Sequence, residues 1–266
     1  MSDEIWQQAM ILASERKAGF EFISKCVLAT SGCYSPDVIF RGQANSAWEI
    51  RPTAFRGGQS GIKNKERLRQ WISEARRLGT PVARNYMEWL VLARHYGVAT
   101  PLLDWTLNPL VALFFACTPT GNNDDNRAEG IVYYSFRSAF DEFWSNDSIE
   151  AFKDRTKPAL FDATGMNERS SAQDSLMTLH SAHCATVDPS NILIRVPAVL
   201  KPSILYALPA FGILDSRIFS DIGLAAKRFN STAFMEDLMA FGQTLPEQQM
   251  ANEPADDEVS SGGFGS

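Results

Sequence analysis

The stretch Asn108-Pro109 followed by Leu110–Cys117 constrains this chain more than any other. Asparagine is a strong N-cap and proline suits the first helical position, so a helix starts here. Every side chain from Leu110 to Cys117 is apolar. A helix without a polar face must lie inside the molecule, so other elements have to cover it on all sides. At 266 residues the chain is long enough to do so, as one large domain or two small ones. The run is far too short for a membrane span of roughly 20 residues. Met1–Met10 lacks the layout of a signal peptide, and a cytoplasmic protein is expected.

Around this helix the periodicities predict an α+β fold: a small, mostly antiparallel sheet with helices packed on it. Glu4–Leu28 has helical spacing, as one or two helices. Val38-Ile39-Phe40 reads as a strand ending at Arg41-Gly42, and Trp48–Ile50 as a further short strand. Lys65–Leu78 and Tyr86–His95 read as helices, with Gly97 stopping the second. Gly130–Phe136 and Ile192–Val196 read as strands, while Ser203–Leu208 and Leu224–Phe241 read as helical. Residues 138–188 show no clear period. From Pro246 onward the polar composition predicts a disordered tail. The expected organisation is an N-terminal helical segment, 1–35, a domain at 36–245, and the tail at 246–266.

Charge and cysteines exclude several classes. A net charge of −6 argues against a general nucleic-acid binder, although a local basic patch inside an acidic whole stays open. The four cysteines have no CxxC pairing, so buried reduced thiols are expected rather than a zinc site or a disulfide framework. His180 and His183 lie three apart without a partner motif, and no metal is expected. Neither GxGxxG nor GxxxxGK[ST] occurs, which excludes a standard Rossmann or P-loop site; GxSxG is also absent.

Two segments concentrate groups able to do chemistry: Phe40–Arg56 and His95–Asn108. Arg41 offers a rigid fork of donors suited to phosphate or carboxylate. Its alternative role is to pair with an internal carboxylate such as Asp104 and lock the fold. Arg51 and Arg56 either converge with it or spread over the surface. His95 is either a general base or a packing histidine near Gly97. Gly42 lets either a ligand or a neighbouring backbone approach closely. Asp104, Thr106 and Asn108 surround the start of the apolar helix, whose unpaired N–H groups favour an anion; the same three residues also serve to satisfy loop and cap.

The strings Phe40-Arg41-Gly42-Gln43, then Trp48, Pro52, Arg56, His95-Tyr96-Gly97, Thr100, Leu103-Asp104-Trp105-Thr106, Asn108-Pro109, Ala112 and Phe114-Phe115-Ala116 resemble the FRG domain. The resemblance is strong over about 36–118. Where family members have a Gln-x-Gly-x-Phe-like strand, this chain has His180–Thr186. Where they have Phe-Pro-Asp-Leu, it has Phe219-Ser220-Asp221-Ile222. A weaker resemblance links Phe40-Arg41-Gly42 to the Tyr-Arg-Gly-like strand end of ADP-ribosyltransferases. Asp104-Trp105-Thr106 and the helix after it are similar to their Ser-Thr-Ser loop and helix.

That resemblance implies an NAD-consuming transferase or glycohydrolase of the toxin or phage-defence kind. It would take NAD as substrate, need no resident cofactor, and act on a nucleotide-type small molecule, with a macromolecular target as a further option. It implies substrate binding by Arg41, Gln43, Arg56, Tyr96, Trp105 and Thr106, with Tyr96 or Trp105 stacking on nicotinamide. Catalysis would fall to His95, Asp104 and Asp221, one carboxylate facing the cation-like transition state; Asp188 is a further substitute for the late glutamate those enzymes use. Two other readings stay open: a non-catalytic module binding a nucleotide or a protein, and a hydrolase or nuclease using His95 and Asp104.

Overall fold

The computed structural model describes residues 3–32, 35–58, 60–79, 83–120, 122–143, 148–164, 166, 174–188 and 191–218. The expected 224–241 helix, the 246–266 tail and Asp221 lie outside them.

The fold is α+β. Helix α1 (Asp3–Ser31) leads to strand β1 (Val38–Gln43). Helices α2 (Lys65–Arg77) and α3 (Tyr86–His95) precede strand β2 (Leu102–Thr106). Helix α4 (Pro109–Cys117), the short α5 (Asn123–Arg127) and strand β3 (Gly130–Phe136) follow. Then come β4 (Asp141–Glu142), α6 (Ser148–Ala151), β5 (Ala159–Asp162), β6 (Ser175–Leu179), β7 (Ile192–Val196) and α7 (Lys201–Ala207). The strands form a seven-stranded sheet in the order β4-β5-β6-β2-β1-β3-β7. Every pairing is antiparallel except β4 with β5.

Helix starts follow the sequence closely. Asn64, Asn85 and Asn108 each accept a backbone N–H through the side chain at the first turn of α2, α3 and α4. Glu88 sits three residues after Asn85 and accepts from the N–H of Arg84 at 2.7 Å, tying down the approach to α3. At its other end Gly97 takes φ +80°, a left-handed turn that suits glycine.

Helix α4 is enclosed as its composition demands. Val111, Ala112, Leu113, Phe114, Ala116 and Cys117 are buried in a core shared with Ile23 and Cys26 of α1, Phe40 of β1, Val132 of β3 and Ile204 of α7. A second core packs Leu68 and Ile72 of α2 and Leu90 of α3 against Leu102, Met177 and Leu179 of the sheet. Each fully buried leucine contributes about 2 kcal/mol of apolar burial. Cys26, Cys117 and Cys184 are free, buried thiols.

Glycines set the spacing of α4 on the sheet. A Cβ on Gly42 would stand 1.8 Å from the carbonyl oxygen of Ala112, and one on Gly130 would stand 2.3 Å from that of Ala116. Gly42 therefore serves the approach of a neighbouring backbone.

Trp48–Ile50 is not a strand but a series of turns. The Asn45 side chain accepts from Ala47 N at 2.9 Å, and its carbonyl accepts from Trp48 N at 3.2 Å, which curls the chain. No helix among the described residues is long and apolar enough to cross a membrane.

Candidate functional site

The centre of the sheet contains a seam. Strand β1 has six registered pairs with β3, and β2 has five with β6, but β1 and β2 meet only at Phe40 and Thr106. Beyond that pair the strands part. The end of α3 and the start of α4 border the opening, and a cavity of about 310 Å³ lies there. Arg41, Arg94, His95, Asp104 and Thr106 line it together with the apolar Phe40, Ala112 and Phe115.

Strand alternation decides which side chains reach this space. Phe40 and Gly42 face α4, while Arg41 is on the opposite pleat, level with Tyr133. The Arg41 guanidinium spans the seam, and its Nη1 donates to the backbone carbonyl of Asp104 at 2.6 Å. Its Nε is buried with no hydrogen-bond partner among the described residues. Burial, with the charges of Arg94 and Arg56, pushes this guanidinium down to about 10 despite Asp104 nearby.

The partner of the Asp104 carboxylate is Arg94, a residue the sequence reading passed over. Arg94 donates twice to Asp104 Oδ2, from Nη2 at 2.7 Å and from Nε at 3.2 Å. Thr53 steadies the pair by accepting from Arg94 Nη1 at 3.4 Å and from Thr100 N at 3.3 Å. Burial would raise the Asp104 carboxyl, but Arg94 and then Arg41 more than reverse this and hold it at about 2. Asp104 is therefore an anion at neutral pH. Its second oxygen, Oδ1, takes no hydrogen bond from the described residues. The one signal for Arg94 is its position: last turn of α3, one residue before His95.

The expected site residues divide into groups. Arg41, His95, Asp104, Trp105 and Thr106 come together at the cavity. Thr106 also accepts from Asn108 N at 3.0 Å and so shapes the entry into α4. Arg56 lies in a separate hollow with Arg51 and Trp48, where its Nε donates to the Arg51 carbonyl at 3.2 Å. It is close enough to act on the charge of Arg41. Arg51 turns instead to Glu49, at 2.8 Å.

Three expected residues have their own packing and hydrogen-bond partners. Trp105 also lines the cavity, but it alternates with Asp104 and Thr106, so most of its ring falls on the other face of β2. Its indole is 2% exposed, packed with Ile39, Phe140 and Leu176, and donates from Nε1 to Thr178 Oγ1 at 3.0 Å. Tyr96 caps α3 outside the cavity, 59% exposed, its ring centred 6.4 Å from that of Trp71. Gln43 is buried and donates to the Trp48 carbonyl at 3.1 Å, which secures the turns, while its Oε1 is buried with no hydrogen-bond partner among the described residues.

The two later histidines have separate environments. His180 is buried between Thr178 Oγ1, at 2.8 Å from Nε2, and the Cys184 carbonyl, at 2.7 Å from Nδ1. A carbonyl only accepts, so Nδ1 carries a proton, and burial pushes the ring down to about 4, which favours the neutral form at pH 7. His183 is exposed and lies 3.9 Å from Asp154.

No curated protein and no solved structure matches this chain. The matched family places the cavity in context, because Phe40, Arg41, Gly42, Arg94, His95, Asp104 and Phe115 all fall inside one recognised segment. Residues 36–125 match the FRG domain.

Proposed function

We propose that the seam cavity binds an anionic, nucleotide-type small molecule, and that the chain is a nucleotide-directed enzyme of the NAD-consuming kind, an ADP-ribosyltransferase or glycohydrolase. The observation that carries this reading is the buried, unpartnered Nε of Arg41 at a cavity with more cationic than anionic side chains. A buried donor left unmade costs about 1–3 kcal/mol, and a phosphate or ribose oxygen would recover it. At about 310 Å³ the cavity matches the lower end of small-molecule sites, enough for part of a dinucleotide.

The chemistry follows from charge. The bond between ribose C1′ and the nicotinamide nitrogen breaks, and nicotinamide leaves with the bonding pair as a neutral molecule. The sugar becomes cationic, and the ionised Asp104 stabilises that charge in a poorly solvated space. Water or a nucleophile on a macromolecular target adds at C1′ and loses its proton to His95. An activity of the toxin or defence kind would make expression harmful to the host cell.

A second reading, a binding module without turnover, draws on one observation. Arg94 and the Arg41–carbonyl bond clamp Asp104 so firmly that the residue also makes sense as a strut.

One experiment separates these readings. Purified protein is incubated with NAD and nicotinamide release is followed, with Arg41→Ala and Asp104→Ala alongside. Release lost in both variants is the expected result. Saturable nucleotide binding without release would replace the first reading by the second. Phosphoester cleavage that disappears in His95→Ala, with no effect on NAD, would overturn both.

A further inference from the structure

The charge of this acidic chain is unevenly distributed. Residues 61–95 carry eight basic and three acidic side chains, within a chain of net charge −6. Helices α2 and α3 form much of this segment, and a groove of about 530 Å³ runs between them. Arg69, Arg76 and Arg84 line it with Asn85 and Tyr86.

All three arginines are exposed. Arg84 is paired with Glu88 at 2.9 Å. Arg69 and Arg76 have no carboxylate partner among the described residues, and Arg76 lies over the Trp89 ring, 5.7 Å from its centroid. Arg69 and Arg76 are seven residues apart, or about 10 Å along the helix axis at 1.5 Å per residue. That distance corresponds to about three nucleotides of a stacked strand at 3.4 Å each.

We infer that this groove is a docking surface for single-stranded nucleic acid, held through its phosphates. Guanidinium forks match phosphate oxygens. The half-buried Tyr86 supplies one aromatic face at the groove wall, the combination that single-strand binders use. An acidic peptide fits less well. Peptide partners need apolar anchor sites, and the apolar groups here, Ile72 and Trp89, are already buried. A duplex would need a broader cationic surface than one groove between two helices. The surface is independent of the seam cavity. Both nevertheless use α3, whose N-terminal end borders the groove and whose last turn carries Arg94 and His95, about 14 Å further on at 1.5 Å per residue.

The test is fluorescence anisotropy of a labelled 12-nucleotide oligouridylate with the whole chain. Two phosphate contacts, at Arg69 and Arg76, at about 0.7 each predict a slope of log K against log salt near −1.4, so affinity falls about 7-fold between 50 and 200 mM salt. Arg69→Gln/Arg76→Gln should weaken binding about tenfold at 50 mM and flatten the slope, and Arg69→Glu/Arg76→Glu should abolish binding. Lys17→Gln/Lys25→Gln removes two exposed charges from α1 and should leave both affinity and slope unchanged. The inference is overturned if the oligonucleotide does not bind at 50 mM salt, if the two arginine variants bind as the parent does, or if polyglutamate of equal charge binds more tightly.

Discussion

At the scale of single residues, the site is an electrostatic arrangement around one carboxylate. Asp104 stays ionised because Arg94 holds Oδ2 and Arg41 lies beside it. Replacing Arg94 by Gln leaves a largely buried anion with a weak donor in place of a cation. We expect a loss of about 2 kcal/mol in urea denaturation, less than a fully buried pair would show because both side chains remain partly exposed. Asp104→Asn/Arg94→Gln should recover part of that loss, since the uncompensated charge goes too. Arg41 and Asp104 were legible in the sequence because a Phe-Arg-Gly strand end and a carboxylate before a helix are unusual local patterns. Arg94 was not, because a basic residue in the last turn of a helix is common and its partner lies across a loop. Trp105 lines the cavity, yet the period of two commits most of its ring to the core beside Ile39, Phe140 and Leu176.

At the scale of elements, α4 and its fit against β1 and β3 organise the centre. Gly42→Ala would place a methyl group 1.8 Å from the Ala112 carbonyl oxygen and force α4 off the strand. A cost of at least about 3 kcal/mol is expected, read as a lower thermal midpoint. Gly57→Ala, where nothing lies within 4 Å, should leave the midpoint within about 0.5 kcal/mol of the parent. The long elements were readable: caps at Asn108 and at the Gly97 stop, and the helical spacing in Lys65–Leu78. The strands inside 138–188 were not. Strand β6 reads Ser-Leu-Met-Thr-Leu and is buried along its whole length, so it shows no alternation of polar and apolar residues. Strand β4 has only two residues, too few to carry any period. The apparent strand at Trp48–Ile50 lost to the Asn45 side chain, which captures the backbone locally.

At the scale of the whole molecule, stability should respond to acid through the buried His180. Burial pushes His180 down to about 4, with Arg41 adding to the effect against the Cys184 carbonyl. The unfolded chain takes up a proton near pH 6.5 and the folded one near 4, so this contribution is complete above about 6.5 and is lost as pH falls toward 4. The expected size is on the order of 2–3 kcal/mol. Urea midpoints at pH 7.5 and 4.5 check it; His180→Gln should remove most of the difference. Asp104 adds a second loss at lower pH, between about 4 and 2, as its carboxylate is neutralised. A further consequence belongs to the single registered pair between Phe40 and Thr106. Elsewhere neighbouring long strands share several rungs of backbone. Across this gap one rung is reinforced by the Arg41 side chain reaching the Asp104 carbonyl, so the middle of the sheet is where losing one guanidinium is felt most.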